Sequence, residues 1–221
     1  MLERPPCLAW LHYRSTTYCW DGGILNLSIA IKRLCITGTP GVGKTTISLK
    51  IAKIMGAKYI DLGKLVIKQG WISGYDHARR SFIVSDEIAG KLKLYLTKFE
   101  KYVIDTHYCE LVPSECIDMV VVLRLRPDVL FERLSMRGYS SKKVCENTLA
   151  EVLDSCLISA IEAHGRDRVI EVDTTGKSVD CIVEEVLKLV SKRERRIGVV
   201  NWLQEIDYEF LLKLERGLQG P

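Results

Sequence analysis

A short glycine-rich run has the composition and spacing of a phosphate-binding loop. Residues 38–46 read Gly-Thr-Pro-Gly-Val-Gly-Lys-Thr-Thr and fit the pattern G-x-x-x-x-G-K-[S/T]. The run follows an apolar, β-rich segment and precedes a helical one, which is the context that the pattern requires. Glycines here, Gly41 and Gly43 among them, let backbone N–H groups converge on phosphate oxygens, and the N-terminus of the next helix adds partial positive charge.

The three residues that close this loop carry the groups that a nucleotide needs. We expect Lys44 to reach the β- and γ-phosphates. Thr45 is expected to place its hydroxyl on Mg²⁺, and Thr46 to cap the loop near the α-phosphate. The alternative is a chance glycine-rich turn, which would not require the flanking strand and helix patterns.

A second ligand for Mg²⁺ is expected from the end of a neighbouring strand. Asp105 closes the apolar run 102–104 and is the best candidate, with Mg²⁺ held by Thr45 and Asp105 partly through water. The alternative for Asp105 is a helix N-cap or a turn. His107 lies two residues further on, so in extended backbone its side chain would point to the same side and could orient a water or a phosphate. A structural role at the strand end is the alternative for His107.

A segment with two arginines predicts a mobile lid. In the run 131–139, Arg133 and Arg137 are four residues apart on a predicted helix and are followed by Gly138. Arginines placed in this way can clamp a phosphoryl group when the lid closes. Surface salt bridges are the alternative. With no C-x-x-C pair beside it, the lid is expected to be short and free of metal.

The hydrophobic pattern predicts the elements that position these residues. Strands are expected at 29–37, 59–61, 102–105, 119–123 and 169–172, and helices at 47–55, 62–68, 86–99, 127–136, 142–163 and 179–192, with a turn region at 70–75. The plainest strands are continuously apolar, as in a parallel sheet that helices cover on both faces. The pattern therefore predicts a three-layer α/β fold with about five parallel strands.

The chain divides into a core and two terminal segments. Residues 1–28 lack helical or strand periodicity and are expected to be a disordered or wrongly started extension, whereas 29–194 form the core. Residues 195–221 are expected to form an amphipathic helix, with apolar residues at helical spacing from Val199 to Leu214. This helix either packs back on its own domain or docks onto a partner.

Composition narrows the class of protein. A hydrophobic share of 47% and a charged share of 27% are ordinary for a globular protein. The net charge of +4 suits an RNA-rich partner and an ordinary solvated surface equally well. None of the eight cysteines forms a C-x-x-C pair, so we expect reduced thiols in a cytoplasmic protein, with a disulfide in a thermophile as the alternative. No apolar run is long enough for a membrane span or a secretory signal.

The motifs together resemble those of the adenylate kinase isoenzyme 6 family, also called the coilin-interacting nuclear ATPase family. The resemblance covers about residues 32–189. The P-loop at 38–46 is shared by many kinases, so the narrower marks are Gly-Tyr-Asp at 74–76, Val-Ile-Asp-Thr-His at 103–107 and Arg-Gly-Tyr at 137–139. The implied fold is the three-layer P-loop nucleoside-monophosphate kinase fold, with a short lid at about 136–146.

The resemblance also implies a site for the second nucleotide. It places a monophosphate-binding region at about 61–84, with residues expected to contribute at Asp61, Gly63, Lys68, Tyr75, Asp76 and Arg79. One departure is that family members often carry an arginine in the helix where this chain reads Leu-Val-Ile-Lys at 65–68. Either Lys68 or the pair Arg79 and Arg80 must supply the positive charge, or kinase activity is weak.

The implied activities are adenylate kinase and ATPase, with ATP and AMP as substrates, Mg²⁺ as cofactor, and Arg137 among the ATP-binding and catalytic residues. The resemblance further implies a role in maturation of the small ribosomal subunit through a small-subunit ribosomal protein, with the chain a monomer or weak oligomer. A different hypothesis is an assembly switch in which nucleotide turnover only times binding and release. A GTPase is disfavoured because no N-K-x-D segment follows the P-loop.

Overall fold

The computed structural model describes residues 17–20, 23–26, 30–76, 81–85 and 87–219. For residues 17–20, 23–26, 75–76 and 81–84 the structure describes the backbone only. In chain order the strands are β1 (Thr17–Trp20), β2 (Gly23–Asn26), β3 (Arg33–Thr37), β4 (Lys58–Asp61), β5 (Ile72–Asp76), β6 (Ser81–Val84), β7 (Tyr102–Asp105), β8 (Met119–Arg124) and β9 (Val169–Asp173). The α-helices are α1 (Lys44–Met55), α2 (Leu62–Gln69), α3 (Ile88–Leu96), α4 (Pro127–Met136), α5 (Ser141–Val152), α6 (Ser155–His164), α7 (Val179–Lys192), α8 (Trp202–Glu205) and α9 (Tyr208–Gln219).

Five parallel strands form the central sheet in the order β4-β7-β3-β8-β9. Helices α2 and α3 lie in the connection from β4 to β7, and α4, α5 and α6 lie in the connection from β8 to β9, so these parallel neighbours are joined by helical crossovers, as such sheets require. The strands are buried on both faces because helices cover each side. This arrangement confirms the predicted sheet and brings the carboxyl ends of β3, β4 and β7 to one edge, where Asp105 lies in register with both Ile36 and Asp61.

The two faces of the sheet carry separate hydrophobic clusters. Helices α1, α4 and α7 contribute to one cluster, and α2, α3 and α6 contribute to the other. The periodic apolar residues of α7 show why it forms: Val183, Val186 and Val190 recur at helical spacing and are all buried. The helix begins at the N-cap Ser178, whose side chain accepts a hydrogen bond from the backbone N–H of Cys181.

Two predicted elements differ from the observed ones. The long helix expected over 142–163 is two helices, because Asp154 adopts a left-handed backbone with φ of 55° and breaks the helix between α5 and α6. The Asp154 carboxylate accepts a hydrogen bond from Arg124 at this break. Part of the turn region expected at 70–75 is strand β5, which pairs with β6 as an antiparallel hairpin.

The terminal segments also carry regular structure. Although residues 1–28 show no strand periodicity, β1 and β2 pair as an antiparallel hairpin, and the rest of that extension lies outside the described residues. At the other end, the amphipathic segment forms α8 and α9 and packs on its own domain. Trp202 and Leu214 are buried there, and α9 lies against α5.

Two further features of the fold are its cysteines and the apolar length of its helices. Among the described residues, the thiols of Cys35, Cys109, Cys116, Cys145 and Cys156 are free. Within the part of the chain that the structure describes, no helix is long and apolar enough to cross a membrane.

Candidate active site

The phosphate-binding loop joins β3 to α1 at the carboxyl edge of the sheet. Gly38 has φ of 136°, and a Cβ there would lie 2.4 Å from the carbonyl oxygen of Leu123. Gly41 has φ of 102°, and a Cβ there would lie 2.7 Å from Leu130 Cδ1. Side chains at either position would therefore both strain the backbone and collide with a neighbour. The motif needs glycine at these positions so that the loop can close against β8 and α4.

Lys44 lies folded over the loop. Its Nζ donates hydrogen bonds to the carbonyl oxygens of Gly38, at 2.7 Å, and of Thr39, at 3.0 Å. Burial lowers the pKa of Lys44, although nearby Cys156 and Asp105 act in the opposite direction. Thr46 is exposed in the first turn of α1, as is Thr45, while Gly43 is the left-handed residue that precedes the helix.

Three oxygen-bearing side chains converge at the ends of β4 and β7. Thr45 Oγ1 donates to Asp105 Oδ2 at 2.6 Å, and the Tyr59 hydroxyl donates to the same oxygen at 3.0 Å. Asp105 is only 5% exposed. Burial raises the pKa of Tyr59, and the Asp105 carboxylate raises it further, so the phenol stays protonated and donates. The structure thus brings together the two residues expected at the magnesium site, and Asp105 does not cap a helix.

The Thr45 hydroxyl and the Asp105 carboxylate fit Mg²⁺, the ion that the phosphate-binding loop implies. Hydroxyl and carboxylate oxygens suit Mg²⁺, which takes one or two protein ligands and completes its shell with water and substrate phosphates. Among the described residues no group of three or more His, Cys, Asp or Glu side chains could hold a metal by itself. A site that shares its ion with a bound nucleotide is consistent with both observations.

His107 follows the end of β7 and lies within electrostatic reach of Lys44 and Asp61. Its ring lies 3.8 Å from the ring of Tyr108, centroid to centroid, and its side chain keeps an exposed edge. Surrounding protein removes enough water to lower the pKa of His107 to about 4, and the charges of Lys44 and Lys143 lower it further. The imidazole is therefore neutral at pH 7 and able to accept a hydrogen bond.

The predicted lid corresponds to the connection between α4 and α5. Arg137 ends α4, Gly138 has φ of 73°, and Ser140 caps the start of α5 by accepting from the backbone N–H of Lys143. Arg137 is exposed, and its charge contributes to lowering the pKa of Lys44, which places it within electrostatic reach of the phosphate-binding loop. The predicted lid at 136–146 therefore covers a helix end, a glycine turn and the first half of α5.

The residues expected to bind the monophosphate are placed unevenly. Asp61 lies at the edge as the N-cap of α2, accepting from the backbone N–H of Lys64, and Gly63 is in the first turn. Lys68 is exposed in the last turn of α2, about 10 Å along the helix from Asp61. The role of Lys68 at the monophosphate site stays a prediction. Among the described residues, Lys64 is a cation of the same helix nearer to Asp61, and its Nζ lies 3.0 Å from Asp61 Oδ2.

Tyr75 and Asp76, which are also expected to bind the monophosphate, lie in strand β5. Tyr75 pairs with Phe82 and Asp76 with Ser81 along the backbone ladder. Arg79, with Arg80, lies outside the described residues.

Sequence reasoning missed the buried side chains that support the loop. Tyr59 reads as a strand residue, and only its register beside the end of β7 shows that it reaches Asp105. Glu151 lies on a helix with no motif, yet its Oε2 accepts from Thr39 Oγ1 at 2.6 Å. The available signal was Arg124, a charged residue that closes an otherwise apolar strand and therefore needs a buried acidic partner.

Comparison with known proteins identifies a family model and archaeal relatives that are similar to this chain. A family model described as an AAA domain matches residues 34–154. A protein of Pyrococcus abyssi named "Putative adenylate kinase" is 42% identical over 175 residues, covering 79% of this chain and 93% of that protein. One of the same name from Methanocaldococcus jannaschii is 37% identical over 181 residues, covering 80% of this chain and 96% of that protein.

Solved structures agree on the architecture. A shikimate kinase from Acinetobacter baumannii, in complex with shikimate, superposes with a TM-score of 0.52 at 12% identity, covering 75% of this chain and 96% of that chain. At this identity the likeness shows the fold alone. The predicted three-layer α/β fold of the P-loop kinase type is confirmed.

Proposed function

The chain matches an AAA-domain family model over residues 34–154 and belongs to one family with these archaeal relatives, and from that premise we propose that it is a Mg·ATP-dependent adenylate kinase that converts ATP and AMP into two ADP. The observation that carries the proposal is the convergence of Lys44, Thr45 and Asp105 at one sheet edge, beneath a lid that carries Arg137. Fold and loop are common to many phosphotransferases, so the choice of AMP rests on the relatives and on the sequence resemblance.

The residues of the loop bind and orient ATP. Backbone N–H groups around Gly41 and Gly43 hold the phosphates, and the N-terminus of α1 adds favourable charge. Lys44 leaves its carbonyl partners and compensates the charge of the β- and γ-phosphates. Thr45 and Asp105 would hold Mg²⁺, which would neutralise charge on the phosphates when bound. Arg137 acts on the charge that develops as the phosphoryl group leaves.

Transfer to AMP places modest demands on the protein. A monophosphate has a second pKa near 6, so at neutral pH it is already an anionic nucleophile and needs no general base. Its requirement is alignment and charge compensation. We propose that Asp61 and Gly63 form one part of the AMP site and that Tyr75, Asp76 and Arg79 also contribute to it. Lys64 pairs with Asp61 and is nearer than Lys68 to this end of α2, so we propose that Lys64 provides the positive charge.

We further propose an intrinsic ATPase activity that depends on His107. Hydrolysis differs from transfer to AMP because a water must be held in line with the γ-phosphate. We propose that the neutral imidazole, which lies within electrostatic reach of Lys44, accepts a hydrogen bond from that water.

A role in ribosome assembly is a separate proposal. It rests on the resemblance to the adenylate kinase isoenzyme 6 family, in which the nucleotide cycle is coupled to maturation of the small ribosomal subunit through one of its proteins. The net charge of +4 is compatible with an RNA-rich partner. In the alternative form of this proposal, hydrolysis times binding and release, and AMP phosphorylation has little importance in the cell.

A coupled assay separates these possibilities. Release of inorganic phosphate and formation of ADP are followed at saturating Mg·ATP, with and without AMP, for the wild type and for Lys44→Ala. The kinase proposal expects AMP to accelerate ADP formation without accelerating phosphate release. Phosphate release that is unaffected by AMP, with no extra ADP, would support the switch and exclude the kinase.

A further inference from the structure

A single buried carboxylate links the phosphate-binding loop to the C-terminal segment. Glu151, on α5, is 2% exposed. Its Oε2 accepts from Thr39 Oγ1 at 2.6 Å. Its Oε1 accepts from Trp202 Nε1 at 3.1 Å and from Arg124 Nε at 2.8 Å. The backbone N–H of Leu125 donates to the same Oε1 at 3.2 Å. Both oxygens are therefore satisfied by donors from distant parts of the chain.

Acidic side chains surround Arg124 beside the C-terminal segment. Arg124 contacts the carboxyl groups of Glu151, Asp154 and Glu171; Asp154 is partly exposed, whereas the buried Glu151 and Glu171 share this one buried arginine. A buried carboxylate is costly unless hydrogen bonds satisfy it.

The segment after α7 provides those bonds. The N–H groups of Gly198 and Val199 donate to Glu171 Oε2 at 2.6 and 2.8 Å, while Trp202 donates to Glu151. The C-terminal segment thus donates hydrogen bonds to both buried carboxyl groups that contact Arg124.

The other side of Glu151 lies at the phosphate-binding loop. Thr39 is 1% exposed, and its carbonyl oxygen accepts from Lys44 Nζ at 3.0 Å and from the Val42 N–H at 3.3 Å. Moving Thr39 would therefore move the backbone on which the loop is built. Glu151 also lies near the end of α5, the helix whose first half belongs to the lid. One carboxylate connects loop, lid helix and C-terminal segment.

We propose that Trp202 and Glu151 are positioning residues that hold the loop in its phosphate-binding shape, so that the C-terminal segment is part of the ATP site without touching ATP. This inference rests on the proposed nucleotide chemistry. The indole N–H of Trp202 fixes the Glu151 carboxylate, the carboxylate fixes the Thr39 hydroxyl, and Thr39 sets the backbone N–H groups that contact phosphate.

A double-mutant cycle tests the chain of contacts. Trp202→Phe removes the indole N–H and keeps an aromatic ring, whereas Thr39→Val removes the hydroxyl at nearly constant volume. Each change should raise the KM for Mg·ATP and the ATP dissociation constant about fivefold, with kcat changing less than twofold, because the loop contacts phosphate equally in the ground and transition states. The double variant should bind ATP no more than twofold worse than Thr39→Val, because both changes act through one carboxylate.

Two controls separate positioning from general stability. Phe210→Leu weakens the packing of α9 on Phe131, whose ring centroid lies 5.8 Å away, without altering the bonds to Glu151. It should lower Tm but leave ATP affinity unchanged, alone and combined with Thr39→Val. Thr39→Ser keeps the hydroxyl and should bind ATP within twofold of the wild type. Independent, multiplicative effects of Trp202→Phe and Thr39→Val on ATP affinity would overturn the inference.

The outcome also stays informative if one variant does not fold or if the function is misassigned. Should Trp202→Phe fail to fold, Thr39→Val alone should shift the NMR signal of the Trp202 indole N–H, on the far side of Glu151, and an unchanged signal would overturn the inference. ATP affinity is measured by calorimetry and needs no AMP. A wild type that binds ATP but does not phosphorylate AMP refutes the kinase proposal, whereas absent coupling in an active wild type refutes only the positioning role.

Discussion

Replacing Tyr59 by phenylalanine should weaken the magnesium site while leaving the fold intact. The Tyr59 hydroxyl donates to Asp105 Oδ2 at 3.0 Å, and the only other side chain in the described part of the chain with a hydrogen bond to this carboxylate is Thr45. Thr45 is expected to turn its hydroxyl to Mg²⁺ when nucleotide binds, which would leave Tyr59 as the donor that orients the carboxylate.

The size of the effect follows from the role of such donors. Losing a hydrogen bond to a metal-binding carboxylate typically costs 10- to 100-fold in metal affinity. Tyr59 supplies one donor and the backbone of β7 still holds Asp105 in place, so we expect the lower end, about a tenfold rise in the half-saturating Mg²⁺ concentration. At saturating Mg²⁺, kcat should stay within about threefold of the wild type.

Tyr102→Phe is the matched control. Its hydroxyl donates to the carbonyl oxygen of Cys116, and Tyr102 lies at the opposite end of β7, about 10 Å from Asp105. Each variant should lose about 1 kcal/mol of stability with its hydrogen bond, but only Tyr59→Phe should alter the Mg²⁺ dependence. The assay is a Mg²⁺ titration of ADP formation at fixed ATP, with ATP affinity measured by calorimetry at each Mg²⁺ level. Equal Mg²⁺ curves for the two variants would refute the reasoning.

Five further changes probe the rest of the site and the C-terminal segment. Lys44→Ala should lower both kinase and ATPase rates about 10²-fold or more, since it removes the charge that compensates the transferring phosphate; steady-state rates check this. Arg137→Ala should lower kcat more than it weakens ATP binding, and equal kcat with weaker binding would limit Arg137 to the ground state. His107→Gly should reduce ATP hydrolysis without AMP by more than transfer to AMP, whereas Asp105→Ala should depress both rates together. Deletion from Ile197 onward should lower Tm by about 10 °C or more, or cause aggregation, because losing a buried tryptophan alone costs about 3–5 kcal/mol; calorimetry or light scattering decides.

Local signals were strong enough to predict most of the core. The apolar runs at 102–105 and 119–123 became β7 and β8, and the helices expected at 127–136 and 179–192 have those bounds. Periodicity is reliable here because both faces of the sheet are covered and each helix has one buried stripe. The break at Asp154 could not be predicted, because it depends on a contact with Arg124, which is distant in sequence. The β5–β6 hairpin was missed because glycine at 70 and 74 obscured its alternation.

Prediction of the site had the same limit. The P-loop is a local motif, and Asp105 was identifiable because it closes a strand, so the two could be placed together from sequence. Tyr59 and Glu151 reach the loop only through strand register and helix packing, which no motif encodes. Lys68 stays a prediction: its charge suits AMP, and it lies in the last turn of α2, whereas the N-cap Asp61 lies at the carboxyl edge of the sheet.

The most direct test of the central claim follows a labelled phosphoryl group. Wild-type protein is incubated with Mg²⁺, AMP and ATP that carries label in its γ-phosphate, and the products are separated. Phosphoryl transfer predicts that label appears in ADP at a rate that rises with AMP concentration and is lost in Lys44→Ala. Label found only in inorganic phosphate, at the same rate with and without AMP, would contradict the assignment of the protein as an adenylate kinase.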